Sequence, residues 1–480
     1  MEVAQKNRVI FDPIYGFITL TPVEWDIIHS PFYQRLRWIK QLGLSCYLFP
    51  GAEHSRFGHS IGVMYNAHCI LNSCGLAVDL GELCSFEEQS KANRSSEALF
   101  HQSLRLAALL HDLGTFPLSH TTEAAYIEFA ETTKKKGGKY LSDDHENLGS
   151  FIIKNTRYAG GITDILERYQ ISPKMISDLV KGVNPSILAN QILHSEIDCD
   201  RMDYLLRDAH YTGLKYGSYD RDYLLYHFKV VKVDNKEILA IKDNALHCVE
   251  DFLMARFAWY SQVIRSPRGA KYDILAEKVC LHFLEKGVIY RYSDLLEMIE
   301  AGPLKFYGFN DHYFMQNMHQ QLESGSLNKT PKMRSMVQTL LFGKGGKVIK
   351  SEEFDQRLLS QDDEGISSKI HKRAERKVAE IKQVLDKHGG EEDWMIADIP
   401  KKDVIFVMST GQLVKNKSKQ NVLLERDPVK ICYDNGDVKL LAEVENSVIS
   451  QLQNTKNFIP ALFCSDSAYQ LLLSKKAIVD

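Results

Sequence analysis

Ten residues constrain this chain more than any others. Leu104 to Leu113 reads LRLAALLHDL, a helix apolar on nearly every face, and it is stopped by Gly114 and Pro117. A helix with no polar face must be buried on most sides, so other elements have to surround it. That burial makes the His111-Asp112 pair at its end unusual. A charged aspartate there has to be paired or metal-bound. An imidazole nitrogen beside a carboxylate oxygen suits Mn, Fe, Zn, Co or, less comfortably, Mg. Alone the dipeptide is a weak sign, because His-Asp is common at surfaces and helix ends.

Helical patterns dominate the rest of the first 345 residues. Residues 8–20 read as a short hairpin or extended entry, and Thr21-Pro22-Val23-Glu24 as a helix start with proline in the first turn. Further helices are expected over 31–42, 59–71, 145–155, 173–182, 186–209 and 246–264. One hairpin interrupts them, VVKV and EILAI joined by Asp234-Asn235-Lys236. Gly343 to Lys350 reads as a flexible basic connector. Beyond it the pattern changes: a charged helix over 370–388, then strands at Val404–Met408 and Val429–Tyr433. The expected division is a mostly α core over 1–345 and a smaller α+β region over 346–480.

Composition excludes several classes. The 480 residues carry a formal charge of −3, so nothing global favours nucleic acid or an anionic membrane. Nine scattered cysteines without a CxxC pair indicate neither a zinc ribbon nor a disulfide framework. The start, MEVAQKNRVIFDP, has no signal-peptide stretch, and no apolar run approaches the ~20 residues of a membrane helix. A reduced cytoplasm is the expected location.

Three features strengthen the His-Asp reading. His54-Ser55-Arg56-Phe57-Gly58-His59 places two imidazoles and a guanidinium just before a helix. DCDRMDYLLRD, Asp198 to Asp208, sets Asp200, Tyr204 and Asp208 four residues apart on one helical face. Between them lie His120, Glu123 and His145, available for acid–base work.

The order H…HD…D resembles the HD superfamily of metal phosphohydrolases. The wider motifs DPIYGFI, FYQRLRWIKQLG, FPGAEHSRFGHSIGV, HDLGTFPLSH, HEN and DRMDYLLRDAHYTG resemble its deoxynucleoside triphosphate triphosphohydrolases. The likeness runs from about residue 8 to 265. It implies an HD-domain helical core, one divalent metal ion on His59, His111, Asp112 and Asp200, and hydrolysis of deoxynucleoside triphosphates to deoxynucleoside and triphosphate. It further implies phosphate contacts from Arg56, Arg201 and Arg256, with His120 at the α-phosphate. Gln41, Tyr204 and Asp208 correspond to the sugar grip, and His145, oriented by Glu123, to the acid that protonates the leaving oxygen. A homo-oligomer, dimer or tetramer, is implied too, with an allosteric nucleotide near Arg8, Gln34 and Arg37.

Three departures qualify the likeness. Thr115 stands where many relatives carry a second histidine, and it cannot become a cation near pH 7. Ile264 to Gly269, IRSPRG, replaces an aromatic residue followed by His-Lys, so base recognition is open. His29 falls where an acidic guanine reader belongs. These departures leave room for a modified or signalling nucleotide as substrate, or for a weakly catalytic nucleotide sensor.

Overall fold

In the computed structural model, residues 8–76, 78–84, 95–133, 143–360, 364–399, 404–405, 422–452 and 455–479 are described. The apolar segment forms the end of the helix Ser96–Leu110, whose start is capped by Ser95 Oγ accepting from the Ala98 amide at 3.0 Å. Leu104, Leu106, Leu109, Leu110 and Leu113 are all fully buried. Each such leucine stabilises the fold by roughly 1.5–3 kcal/mol, which is why this helix is central. It packs against the helices Arg56–Ser73 and Pro173–Val180, and Arg56–Ser73 packs in turn on Cys199–Thr212. Among the described residues no helix is long and apolar enough to cross a membrane.

The entry segment is a hairpin, Arg8–Asp12 with Gly16–Leu20, followed by the helix Pro22–His29 with a Thr21/Glu24 capping box. Glu24 then turns inward, where Arg105 donates to both its carboxylate oxygens at 2.7 Å. Two helices differ from expectation. Residues 31–42 give only the turn Pro31–Gln34 and a 3-10 turn Arg35–Trp38. Buried Arg35 leaves that turn to donate to the carbonyls of Leu113, Thr115 and Phe309, and so satisfies the open end of the apolar helix. The stretch 186–209 is two helices, Ile187–His194 and Cys199–Thr212. Asp198 breaks it by capping the second helix, its Oδ1 accepting from the Arg201 amide at 2.8 Å. Asp200 therefore sits in a first helical turn, not mid-helix.

The second hairpin, Phe228–Val233 with Lys236–Lys242, turns on Asp234 and Asn235, both at positive φ. It does not end there. Lys430–Cys432 adds in parallel beside Ile241 and Lys242, and Val438–Leu440 pairs outside it, giving one four-stranded sheet. Of the strand expected at Val404–Met408, Val404–Ile405 is described and pairs with Lys456 and Asn457; residues 406–408 lie outside the described residues. The supposed connector is tied down: Lys271 Nζ donates to the carbonyls of Gly345 and Gly346, and Lys347–Val348 pairs with Phe463 and Cys464. Trp394, Val429, Ile431 and Phe463 join the same apolar core as the helices. The charged helix, Glu364–His388, packs Ala374, Ile381 and Leu385 into a second, smaller core.

Candidate active site

His59 lies in the first turn of Arg56–Ser73, His111 and Asp112 follow the apolar helix, and Asp200 opens Cys199–Thr212. A glycine lets two of these helices approach. A Cβ on Gly62 would fall 1.8 Å from Asp203 Oδ1 and 2.5 Å from Arg207 Nη2. Through that contact a chain of charges fixes His59. Asp203 Oδ2 meets His59 Nδ1 at 2.7 Å, and Arg207 grips both Asp203 oxygens at 2.8 and 2.9 Å. Arg207 also meets Asp12 Oδ2 at 3.0 Å, while Asp12 Oδ1 accepts from the amides of Ile14 and Tyr15. With Nδ1 held by a carboxylate, His59 offers Nε2 as its free nitrogen. His111 is set the same way, since its Nδ1 donates to the Ala108 carbonyl at 2.8 Å.

Both Nε2 atoms are buried and lack a well-aligned hydrogen-bond partner. Asp200 Oδ1 lies 2.9 Å from His59 Nε2 and 3.7 Å from that of His111. Asp112 Oδ2 is 3.4 Å from His111 Nε2 and 3.7 Å from His59 Nε2, and it also takes Arg56 Nη1 at 2.5 Å. One ligand atom each from His59, His111 and Asp200 lies within 4.8 Å of the others. Two orphaned imidazole nitrogens converging on a carboxylate fit a divalent metal ion. Burial opposes the His59 cation, but Asp200 and Asp203 outweigh it and raise its pKa to about 9. Burial likewise opposes the Asp112 anion, and Arg56 and His111 reverse that, holding it well below the usual carboxylate range. The Asp200 carboxyl is lowered too, by His59 and His111 against burial.

A second group faces this one. Glu123 Oε1 accepts from the His145 amide and pairs with His145 Nδ1, both at 2.7 Å, while Oε2 meets His120 Nδ1 at 2.8 Å. Burial disfavours the His145 cation, but Glu123 prevails and lifts its pKa to about 9. Glu123 is itself held far below the ordinary range by His120 and His145 despite burial. Gly114 brings this pair to the His59, His111 and Asp200 group: a Cβ there would meet the His145 carbonyl at 2.2 Å and the Gly149 amide at 2.3 Å. Leu118 and Ser119 both take positive φ, 56° and 63°, just before His120. That turn hands Ser119 Oγ to Arg56 Nε at 3.0 Å.

A cavity of about 300 Å³ joins the two groups, lined by Arg56, His111, Asp112, His120, His145, Asp200 and Arg201 among others. Arg201 is bonded to Asp198 and to the Ser195 carbonyl. Gln41, Tyr204, Asp208 and Arg256 are not among the lining residues. Tyr204 packs its ring at a tilt against Trp259, and Asp208 Oδ1 pairs with His54 Nε2 at 2.7 Å. Gln41 Oε1 and Asp208 Oδ2 are buried without partners, and Arg256 donates to the Glu196 carbonyl. Thr115 turns its hydroxyl to the Asp112 carbonyl at 2.7 Å and closes the turn, away from the cavity. In the altered segment Arg265 pairs with Asp398. Gln34 and Arg37 bond to each other at 2.8 Å, Arg37 lies over the Phe57 ring, and His29 is held on Trp25.

Asp12, Asp203 and Arg207 carry no role in the sequence reading, although they hold His59 in place. Their signal is the i, i+4 pair Asp203/Arg207 on the helix face beside the Asp200 stripe. Ser119 is visible only once the left-handed turn is known.

Comparison with known proteins finds likenesses over this region. The family model described as the HD domain matches residues 56–208, the span that contains His59, His111, Asp112, His145 and Asp200. The chain is 31% identical over 278 residues to the uncharacterized protein YwfO of Bacillus subtilis, covering 57% of this chain and 55% of that one. It is 28% identical over 322 residues to the human deoxynucleoside triphosphate triphosphohydrolase SAMHD1, covering 62% and 47%. The matches thus span about half the length of these relatives. A crystal structure of a Bacteroides thetaiotaomicron phosphohydrolase superposes with a TM-score of 0.64 at 20% identity, over 96% of this chain and 100% of that one, a likeness of fold. From Arg56 to Asp208, the helices that carry both clusters resemble an HD domain.

Proposed function

We propose that the chain is a metal-dependent phosphohydrolase that splits deoxynucleoside triphosphates into deoxynucleoside and inorganic triphosphate. One observation carries the reading: ligand atoms of His59, His111 and Asp200 lie within 4.8 Å of one another, and the cavity that His111 and Asp200 line is also lined by His120 and His145. The likeness to SAMHD1 supports the substrate class. His59, His111, Asp112 and Asp200 would hold one divalent ion, which when bound supplies a Lewis acid and lowers the pKa of bound water. Arg56, fixed by Asp112 and Ser119, binds phosphate oxygen at the cavity wall. Water adds to the α-phosphorus, the bond to the 5′ oxygen breaks, and His145 delivers the proton that the leaving oxygen takes. Glu123 keeps that proton on His145 near neutral pH. His120, across Glu123, would touch the α-phosphate.

Product identification across the four deoxynucleoside triphosphates tests this. Triphosphate should appear with deoxynucleoside, and the His111→Ala/Asp112→Ala double variant should release none. Release of monophosphate or diphosphate from every substrate would overturn the reaction type. A second reading, hydrolysis of a modified or signalling nucleotide at the same site, draws on the altered segment Ile264 to Gly269, where Arg265 is paired with Asp398. Turnover confined to such a nucleotide in a substrate panel would favour it.

A further inference from the structure

The cavity is not walled by the HD domain alone. Arg426 and Asp427, far along the chain, line it with Arg56, His145 and Asp200. Their segment is anchored through its backbone. The Glu196 amide donates to the Asp427 carbonyl at 2.9 Å, and Gln191 Nε2 donates to the Glu425 carbonyl at 2.9 Å. Buried Lys430 places Nζ on that same Glu425 carbonyl at 2.6 Å, and the chain then enters the strand Lys430–Cys432. Anchoring by main-chain atoms leaves the Arg426 side chain for other work.

That side chain has a seat. Gly182, at a φ of +63°, leaves room for it: a Cβ there would lie 2.6 Å from Arg426 Nη1. Arg426 Nε meets Asp427 Oδ1 at 3.0 Å, which leaves the two terminal nitrogens of the guanidinium fork for an anion. Arg56, the phosphate contact proposed above, shares its guanidinium with Asp112 and Ser119, and Arg201 shares its own with Asp198 and the Ser195 carbonyl. A triphosphate carries its greatest charge on the phosphates farthest from the sugar, so a half-exposed guanidinium at the cavity wall suits that end.

We propose that Arg426 binds the distal phosphates of the substrate, so that the carboxy-terminal region completes a pocket begun by the HD domain. The assignment rests on the triphosphate reading above and deepens it. The test uses full-length, Mn²⁺-loaded protein, with inorganic tripolyphosphate as the probe in calorimetry and deoxynucleoside triphosphates in steady-state kinetics. Arg426→Ala should weaken tripolyphosphate about tenfold or more, as loss of charge-assisted hydrogen bonds requires. It should raise KM similarly with kcat little changed, and leave the thermal midpoint in place. Arg426→Lys should recover part of the loss. Asp427→Asn should tighten tripolyphosphate binding, because it removes a negative charge from the wall and keeps an acceptor for Nε. Unchanged tripolyphosphate affinity and KM in Arg426→Ala would overturn the assignment, as would failure of the wild type to bind tripolyphosphate. A wild type that binds tripolyphosphate through Arg426 but cleaves no deoxynucleoside triphosphate would instead overturn the reaction and keep the anion site.

Discussion

Single residues set the protonation states on which the proposed chemistry depends. Glu123 raises the His145 pKa to about 9, so the acid is charged at neutral pH and lost as pH rises through that value. Glu123→Gln should move the high-pH limb of kcat down by roughly two pH units toward an ordinary histidine, measured as a pH–rate profile. The same contact has a stability consequence. A raised histidine pKa contributes stability in full below the unfolded value of ~6.5, and that share fades through about 9. The depressed Glu123 carboxyl acts oppositely, contributing above its ordinary range and losing that share as pH falls. Asp203→Asn should lower metal affinity by about 10–100-fold, because His59 loses the carboxylate that orients it. Metal titration of the purified variant checks this. That His59, His111 and Asp200 come together was legible in sequence because their types and order are chemically demanding. Asp203 was not, since a carboxylate that serves through another side chain has no distinctive neighbour in the chain.

Between elements, the close approaches are made by glycines. Gly114 admits the His145 helix start, and Gly62 admits the face bearing Asp203 and Arg207. Gly114→Ala should cost about 1–3 kcal/mol, the usual range for overpacking, seen as a lower denaturation midpoint at unchanged slope. It should also separate His145 from His111 and Asp200 and reduce turnover beyond what the lost stability explains. Helices with a strong period were readable in sequence: His145–Asn155 falls where the pattern puts it. The break at 195–198 was not, because Asp198 reads as one more acidic residue until its side chain is seen capping Arg201. The 31–42 stretch failed likewise, since Arg35 abandons helical packing for three carbonyls elsewhere in the chain.

At the scale of the whole molecule, composition changes near residue 346 but packing follows that change only in part. Trp394, Val429, Ile431 and Phe463 lie in one core with the helices, and Lys430–Cys432 covers the edge of the second hairpin. Deletion of 346–480 should therefore lower the thermal midpoint sharply and promote aggregation through the exposed edge of Lys236–Lys242. Scanning calorimetry with light scattering distinguishes this from an independently folding 1–345, whose midpoint would stay near that of the full chain. Such long-range pairing leaves little trace in local sequence, where Lys430–Cys432 reads as a strand without a partner.

Leu118 and Ser119 adopt a left-handed backbone that costs an ordinary residue about 1–2 kcal/mol each. Their reward is the Ser119 hydroxyl under Arg56. Glycine at 118 would relieve strain, and glycine at 119 would relieve it while leaving Arg56 without that support. The strain relieved at 119 is offset by a buried guanidinium left without its acceptor, so robustness and turnover lean on the same strained turn.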